Sequence, residues 1–283
     1  MNLAEASSTL RAAGCVYADD EARLLISAAG TPAELAAMVD RRADGLPLEH
    51  VLGWAEFCGL RIAVAPGVFV PRPHTEFLVR EATALAERGA VVLDLCCGSG
   101  ALGVALAAAL AGAELHATDI EPAAVRCARH NIGAGGHVYE GDLYEPLPAE
   151  LRGRVEILLA NAPYVPTEAI MQMPREARDH EPLVALDGGA DGLEVLRRVS
   201  AAAPQWLAPG GHLLVETSER QAARAVETVA ANGLLARVAR SEKMDAAVVI
   251  ATRPAGGIYP GVRSDSDCGA ISPAWTNLPA ASD

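Results

Sequence analysis

Beyond residue 90 the chain alternates short apolar runs with longer stretches whose apolar residues fall at helical spacing. The runs at 91–95, 114–118, 137–140, 155–160 and 212–217 predict strands, and the stretches at 101–111, 122–131, 193–206 and 219–231 predict helices. Strand and helix in alternation imply a parallel sheet with helices on both faces, an α/β fold. Residues 234–240 and 246–251 read as an antiparallel pair closing that sheet. A different pattern precedes it. Leu3, Ala6, Leu10 and Ala13 keep helical spacing up to Gly14, and Leu24, Leu25 and Ala28 do so up to Gly30. Thr31-Pro32-Ala33-Glu34 is a capping box with proline at the first helical position, opening a helix that turns Leu35, Met38 and Val39 inward. Residues 1–53 are therefore expected to form a small helical domain. Phe57, Leu60, Ile62, Val64, Val68 and Val70 nearly alternate, which predicts a β-hairpin linker over 54–70. Pro71-Arg72-Pro73-His74-Thr75-Glu76 then stiffens a loop ahead of a helix running to about residue 88. The sheet-bearing domain is expected over 71–252, and a loosely ordered tail rich in Gly, Pro, Ser and Asp over 253–283.

Candidate chemistry sits where the apolar runs stop. Asn161-Ala162-Pro163-Tyr164 ends the run at 155–160, and open α/β sheets place their ligands at the carboxyl ends of strands. Asn161 offers a carbonyl and an amide, and Tyr164 a flat ring with a hydroxyl; together they suit a planar, NH-bearing group. Asp94 precedes Cys96-Cys97-Gly98-Ser99-Gly100, a turn that lets the backbone pass close to a ligand ahead of a helix N-terminus. Asp119 and Asp142 stop the next two runs. Three acids at three successive strand ends read more readily as ligand contacts than as helix caps. Gly98-x-Gly100-x-x-Gly103 matches the dinucleotide fingerprint letter for letter, so an NAD-dependent dehydrogenase stays open at this point. An NAD domain gives no reason for Asn-x-Pro-Tyr, whereas a methyl donor does, because its acceptor must be held in line with the transferred carbon.

Composition narrows the partners. Of 283 residues, 36 are acidic and 23 are Lys or Arg, a formal charge of −13. With no basic block anywhere, a nucleic-acid backbone is not expected as the main partner. The six cysteines are scattered without CxxC spacing, so neither a disulfide framework nor a metal site is expected, and a reducing cytoplasm fits best. The N-terminus lacks a basic segment followed by an apolar core, and residues 102–111 are too few to span a bilayer; no signal peptide and no membrane partner are expected.

Further blocks join these motifs: Leu48-Glu49-His50-Val51-Leu52-Gly53 with Phe57, Pro71-Arg72-Pro73-x-Thr75-Glu76, and Thr118-Asp119-Ile120 with Gly141-Asp142. After Asn161-x-Pro163-Tyr164 come Glu181-Pro182, Ala185-Leu186, Asp191-Gly192-Leu193, Gly210-Gly211, and Glu216 with Gln221. Over residues 1–252 the chain resembles the protein-(glutamine) N-methyltransferases that act on peptide chain release factors. The resemblance implies a Rossmann-like, seven-stranded class I methyltransferase sheet and S-adenosyl-L-methionine as cofactor. It implies that Cys96, Cys97, Gly98, Ser99 and Gly100, with Asp94 nearby, wrap the donor's methionine portion. Asp119 with Ile120 would take the ribose, and Asp142 with Leu143 the adenine. Asn161 and the carbonyl of Ala162 would each accept one N–H of the substrate amide, with Pro163 setting the turn and Tyr164 supplying a stacking face.

The chain departs from that family in four places. Asn-Ala-Pro-Tyr replaces Asn-Pro-Pro-Tyr, His74 stands where the family carries an acid, and the helical domain is shorter. The Gly and Arg usual near the last strand pair are also missing from Met244-Asp245-Ala246-Ala247. The expected reaction is transfer of a methyl group to the amide of a protein glutamine, with a release factor as partner. The alternatives are a small-molecule acceptor (amide, amine or guanidinium), a nucleic-acid amino-methyltransferase, and a donor-binding protein without catalysis.

Overall fold

The computed structural model describes residues 1–256, so the expected tail lies almost wholly outside the described residues. Four helices come first: α1 (Leu3–Ala12), α2 (Ala18–Ala28), α3 (Pro32–Ala43) and α4 (Leu48–Leu52). The Thr31 cap expected at the start of α3 forms by half: Thr31 accepts from the Glu34 N–H, while Glu34 accepts from the Gly30 N–H and leaves the box open. A full capping box forms instead at the start of α1, between Asn2 and Glu5, where none was expected. Leu10, Leu25, Met38 and Val39 pack these helices around a small core of their own. Arg42 on α3 is buried, with Nε 2.6 Å from Glu21 and a terminal nitrogen 2.8 Å from Glu176. That second contact ties the helices to α8 (Arg175–His180), far along the chain.

A hairpin of β1 (Trp54–Phe57) and β2 (Leu60–Ala63) follows. Strand pairing stops at Ala63, whereas the apolar alternation runs on to Val70. Val64, Val68 and Val70 are buried all the same, packed against Ala124 and Cys127 without a partner strand. Alternation reports burial, and burial here is supplied by a side-chain contact instead of a ladder. The helix after the Pro-Arg-Pro loop, α5 (Glu76–Leu85), ends at Ala86, where the backbone becomes extended and Gly89 begins the path to the sheet.

The sheet itself comprises β3 (Val91–Leu95), β4 (Glu114–Asp119), β5 (Gly136–Glu140), β6 (Val155–Ala160), β7 (Leu207–Thr217), β8 (Leu235–Ser241) and β9 (Ala246–Thr252). Their spatial order is β5-β4-β3-β6-β7-β9-β8, parallel except for β9, which runs against both β7 and β8. Helices α6 (Ala101–Ala109), α7 (Pro122–Ile132), α9 (Glu194–Trp206) and α10 (Ala222–Ala230) connect it. Two apolar cores form, one on each face. Leu93, Leu95 and Leu158 help build the first, and Val92, Ile157 and Leu159 help build the second. The continuous apolar runs seen in the sequence are thus strands covered on both sides. β7 begins at Leu207, before the expected 212, and skips register between Val155 and Ile157 of its neighbour to absorb Pro209-Gly210-Gly211.

The order reverses between β3 and β6, which is where an open sheet forms its ligand crevice. Register decides what enters it. Leu95 lies opposite Thr118 on one side and Ala160 on the other, and Ala160 lies opposite Val215. The next residue on each strand therefore falls in one row across the sheet: Asp119, Cys96, Asn161 and Glu216.

Helix α6 docks on β3 through Gly103, where an added Cβ would lie 2.9 Å from Leu115 and 3.1 Å from Asp94. The Gly103 N–H donates to Asp94 Oδ2 at 2.9 Å, and Asp94 Oδ1 has no partner. Desolvation in the core pushes the Asp94 carboxyl up to about 7, against the Gly103 N–H, which favours the anion. An acid raised in the folded state contributes stability that is complete below its unfolded value of about 4 and is lost as pH rises through its folded value. Asp94→Asn keeps an acceptor for Gly103 and carries no charge. It is expected to match the parent protein near pH 4 and to exceed it at pH 8, read as urea midpoints without donor. A difference constant across that window would contradict the assignment. Arg42→Met leaves Glu21 buried without its cation and is expected to cost about 3–5 kcal/mol of unfolding free energy. The double variant Glu21→Gln/Arg42→Met should recover much of that loss in the same measurement.

Candidate active site

A cavity of about 220 Å³ opens at the carboxyl ends of β3, β4 and β6. Its floor is the turn after β3. Cys96 has φ 54°, Gly98 φ 55° and Gly100 φ 78°, so the turn rests on three residues in the left-handed region. That conformation costs a cysteine on the order of 1–3 kcal/mol and marks a site where the backbone is aimed deliberately. The Gly98 N–H donates to Asp119 Oδ2 at 2.8 Å, and the Glu121 N–H to Asp119 Oδ1 at 2.9 Å. Asp119 thereby holds the turn and the start of α7 together while still lining the cavity. Its carboxyl is nonetheless raised, because burial outweighs those two donors. Burial likewise pushes the Cys96 and Cys97 thiols up, which leaves them poor nucleophiles.

Cys96, Cys97, Gly98, Ser99, Asp119, Ile120, Asp142 and Leu143 all face this one space, as do Asn161, Ala162, Pro163 and Tyr164. Asp94 and Gly100 do not. Asp94 is fully buried beneath the turn it braces, and Gly100 packs on Ala128 and Ile132. Leu143 also has a positive φ of 49°, which turns the chain after Gly141-Asp142 back toward the cavity. One group in the wall carries no sequence signal, and another belongs to the Pro-Arg-Pro block. Arg198 reaches across from α9 to Asp142 Oδ2 at 2.6 Å. Thr75 presents a buried hydroxyl with no partner, so the loop before α5 contributes a polar contact as well as a wall.

The roof is held by one carboxylate. Glu181 is buried; both its oxygens lie 2.7 Å from an Arg72 nitrogen, and it accepts from the Val70 N–H at 3.1 Å. The Pro71-Arg72-Pro73 and Glu181-Pro182 blocks are therefore the two halves of one clasp.

Asn161 makes no side-chain hydrogen bond with the described residues, so both ends of its amide are free for a ligand. The chain beyond it is braced from outside. Gln221 Nε2 donates to the Tyr164 carbonyl at 2.9 Å and to the Asp191 carbonyl at 3.1 Å. Gly192, at φ 74°, lies so close that a Cβ would collide with the Tyr164 carbonyl and with Gln221. The Asp191-Gly192 and Gln221 blocks act through that brace. Tyr164 donates its hydroxyl to Glu216 Oε1 at 3.3 Å, and His74 Nε2 lies 3.3 Å from the same oxygen. Burial and the Glu216 charge push the Tyr164 phenol up, so it stays a neutral donor. The hydrogen bond to Glu216 raises His74.

The parts fit a methyl donor of the S-adenosylmethionine kind. The first N–H groups of α6 lack helical partners, Asp119 keeps lone pairs beyond its two backbone donors, and an apolar wall of Leu102, Ile120 and Leu143 flanks Asp142. Among the described residues no helix is long and apolar enough to cross a membrane, and no cluster of His, Cys, Asp or Glu suits a metal.

Comparison with known proteins agrees. Residues 59–180 match the methyltransferase small domain family. The fold is shared with a methyltransferase of Pyrococcus furiosus at a TM-score of 0.53 and 17% identity, covering 69% of this chain and 90% of that one. A 4-amino-L-phenylalanine/4-methylamino-L-phenylalanine methyltransferase of Streptomyces pristinaespiralis is 39% identical over 193 residues, 65% of each chain. The release factor glutamine methyltransferase of Geobacter sulfurreducens is 43% identical over 197 residues, 68% of each chain. The chain belongs to the release factor glutamine methyltransferase family, and its cofactor is S-adenosyl-L-methionine.

Proposed function

We propose that this protein methylates the side-chain amide nitrogen of a protein glutamine, with a peptide chain release factor as its substrate. The observation carrying the reading is the free amide of Asn161 beside the Ala162 carbonyl, next to the donor turn in register and on a relative of that named activity. A carboxamide nitrogen is a weak nucleophile because its lone pair is delocalised. Asn161 Oδ1 and the Ala162 carbonyl supply two acceptors, one for each N–H. That pair fixes the amide plane and direction, and alignment of this kind is worth several kcal/mol of barrier. Tyr164 closes one side of the acceptor with its ring. The cofactor would supply an electrophilic methyl on a sulfonium; as the nitrogen forms its bond to that carbon, the carbon–sulfur bond breaks with its electron pair left on sulfur as a neutral thioether, and the nitrogen gives up one proton to solvent. Cys96 to Ser99, Asp119 with Ile120, and Asp142 with Leu143 are assigned to the donor's methionine, ribose and adenine in turn. Asp94 and Gly100 serve that site by shaping the turn. Five free cysteines among the described residues suit a cytoplasmic setting.

A second reading has a specific observation behind it. The Streptomyces pristinaespiralis relative is named for a free aromatic amine, and His74, Tyr164 and Glu216 meet beside Asn161. An arylamine acceptor presents the same pair of N–H groups to the same two oxygens.

Incubation of the protein with purified release factors and labelled donor, read by mass spectrometry, is expected to place a single methyl on one glutamine. Release factors left unmodified beside a methylated arylamine would decide for the second reading. Asn161→Ala is expected to keep donor affinity within a few-fold and to lower turnover at least about a hundredfold. Unchanged turnover in that variant would remove Asn161 from the reaction.

A further inference from the structure

Beyond the wall formed by His74 and Tyr164 lies a second cavity of about 470 Å³, at the carboxyl end of β7 and against the turn between β8 and β9. Glu216 lines this space and not the first one. Its side chain is 4% exposed, and its two oxygens are unequal. Oε1 takes the Tyr164 hydroxyl and faces His74, while Oε2 is buried with no partner at all. A buried carboxylate oxygen left without a donor carries a desolvation penalty that a bound N–H group would remove. Acidic groups outnumber basic ones in the rest of the lining. Glu219, Glu242 and Asp245 complete the acidic side. Arg240 is the facing cation, and both of its contacts, at 3.0 Å, go to Glu219. Among the described residues, Glu242 and Asp245 have no ion-pair partner; both are exposed at the rim, with Asp245 at φ 48° in the turn.

We infer that this groove is a cation subsite for the methyl acceptor, taking a guanidinium or ammonium group that the acceptor carries beside the nitrogen it presents to Asn161. The inference rests on the proposed role of Asn161. Glu216 Oε2 is the buried acceptor of that group, and Asp245 and Glu242 draw it in from solvent. His74 and Tyr164 hold the Glu216 carboxylate in place through Oε1 and leave Oε2 for the ligand. A guanidinium can bridge Oε2 and a rim carboxylate through its fork of donors, which an uncharged isostere cannot do with comparable strength. Two acceptor types carry such a cation: a glutamine peptide with a neighbouring Arg or Lys, and a free amino acid with its α-ammonium.

The test uses the full chain loaded with S-adenosylhomocysteine and a matched pair of probes, n-butylguanidinium and n-butylurea, read by titration calorimetry. The charged probe is expected to bind at least tenfold tighter than the urea. Glu242→Gln/Asp245→Asn, on an exposed turn, is expected to lose at least threefold of that preference, and Glu216→Gln nearly all of it. Equal binding of the two probes, or an unchanged preference in the rim variant, overturns the subsite even if Glu216→Gln fails to fold. Initial rates then separate the sources: glutamine peptides with Arg against citrulline beside the glutamine, and free aminoaryl amino acids against their α-N-acetyl forms. Whichever pair favours the charged member names the source of the cation. Methylation without charge preference in either pair overturns the subsite. Cation-selective binding with no acceptor methylated removes the proposed function and leaves the subsite standing.

Discussion

The register that sets Leu95 opposite Ala160 governs the whole site. Side chains on a strand alternate between faces, so a slip of one residue would exchange the two sets completely. β6 prevents that slip because Ile157, Leu158, Leu159 and Ala160 are all fully buried, with residues from both cores gripping it. The row that follows then carries Asp119, Cys96, Asn161 and Glu216 across four neighbouring strands. Asp119 and Cys96 lie to one side of Asn161 in that row and Glu216 to the other. A single run of hydrogen-bonded register thus sets which groups can meet.

Charge follows from the same row. Asp94 and Asp119 are both raised by burial, so the folded chain carries anions it solvates poorly. Nearby guanidinium groups are already engaged: Arg72 with Glu181, and Arg198 with Asp142. A site arranged in this way favours ligands that bring positive charge, as a sulfonium donor does. The same reasoning extends past Tyr164, where Glu216 is again a buried carboxylate with one oxygen unsatisfied. Poorly solvated carboxylates thus lie on both sides of Asn161.

The strands and the acids that end them could be read directly, because each apolar run stops on one polar residue followed by a turn. Those signals are local, and they survive without knowledge of the partner strand. What could not be read depends on register or on long-range contact. Arg198 meets Asp142 from α9, 56 residues away along the chain, and nothing near either residue announces the other. Glu216 joins Tyr164 and His74 because β6 and β7 align Ala160 with Val215. The alternation at 64–70 misled for a related reason, since period-two burial arises wherever an extended chain lies in an apolar groove, with or without a ladder. Asp94 shares the motif of the donor turn without lining the cavity; its burial beneath α6 and its bond from the Gly103 N–H make it a brace for that turn.

The exchange of proline for Ala162 frees a backbone angle at the residue whose carbonyl would receive the acceptor, which by itself would loosen the geometry. The structure compensates on both sides of that residue. Pro163 keeps Ala162 extended, and Ala162 itself is buried. Downstream, Gln221 grips the Tyr164 carbonyl, and Val165 exchanges hydrogen bonds with Leu186 and Gly188. The carbonyl is therefore aimed by packing and by contacts from distant segments, where a second proline ring would have aimed it alone. Rigidity built from several contacts can be adjusted by altering any of them, including the surroundings of Tyr164 and His74. An alanine at 162 is thus compatible with a fixed carbonyl direction, because the contacts that aim it come from Gln221, Leu186 and Gly188.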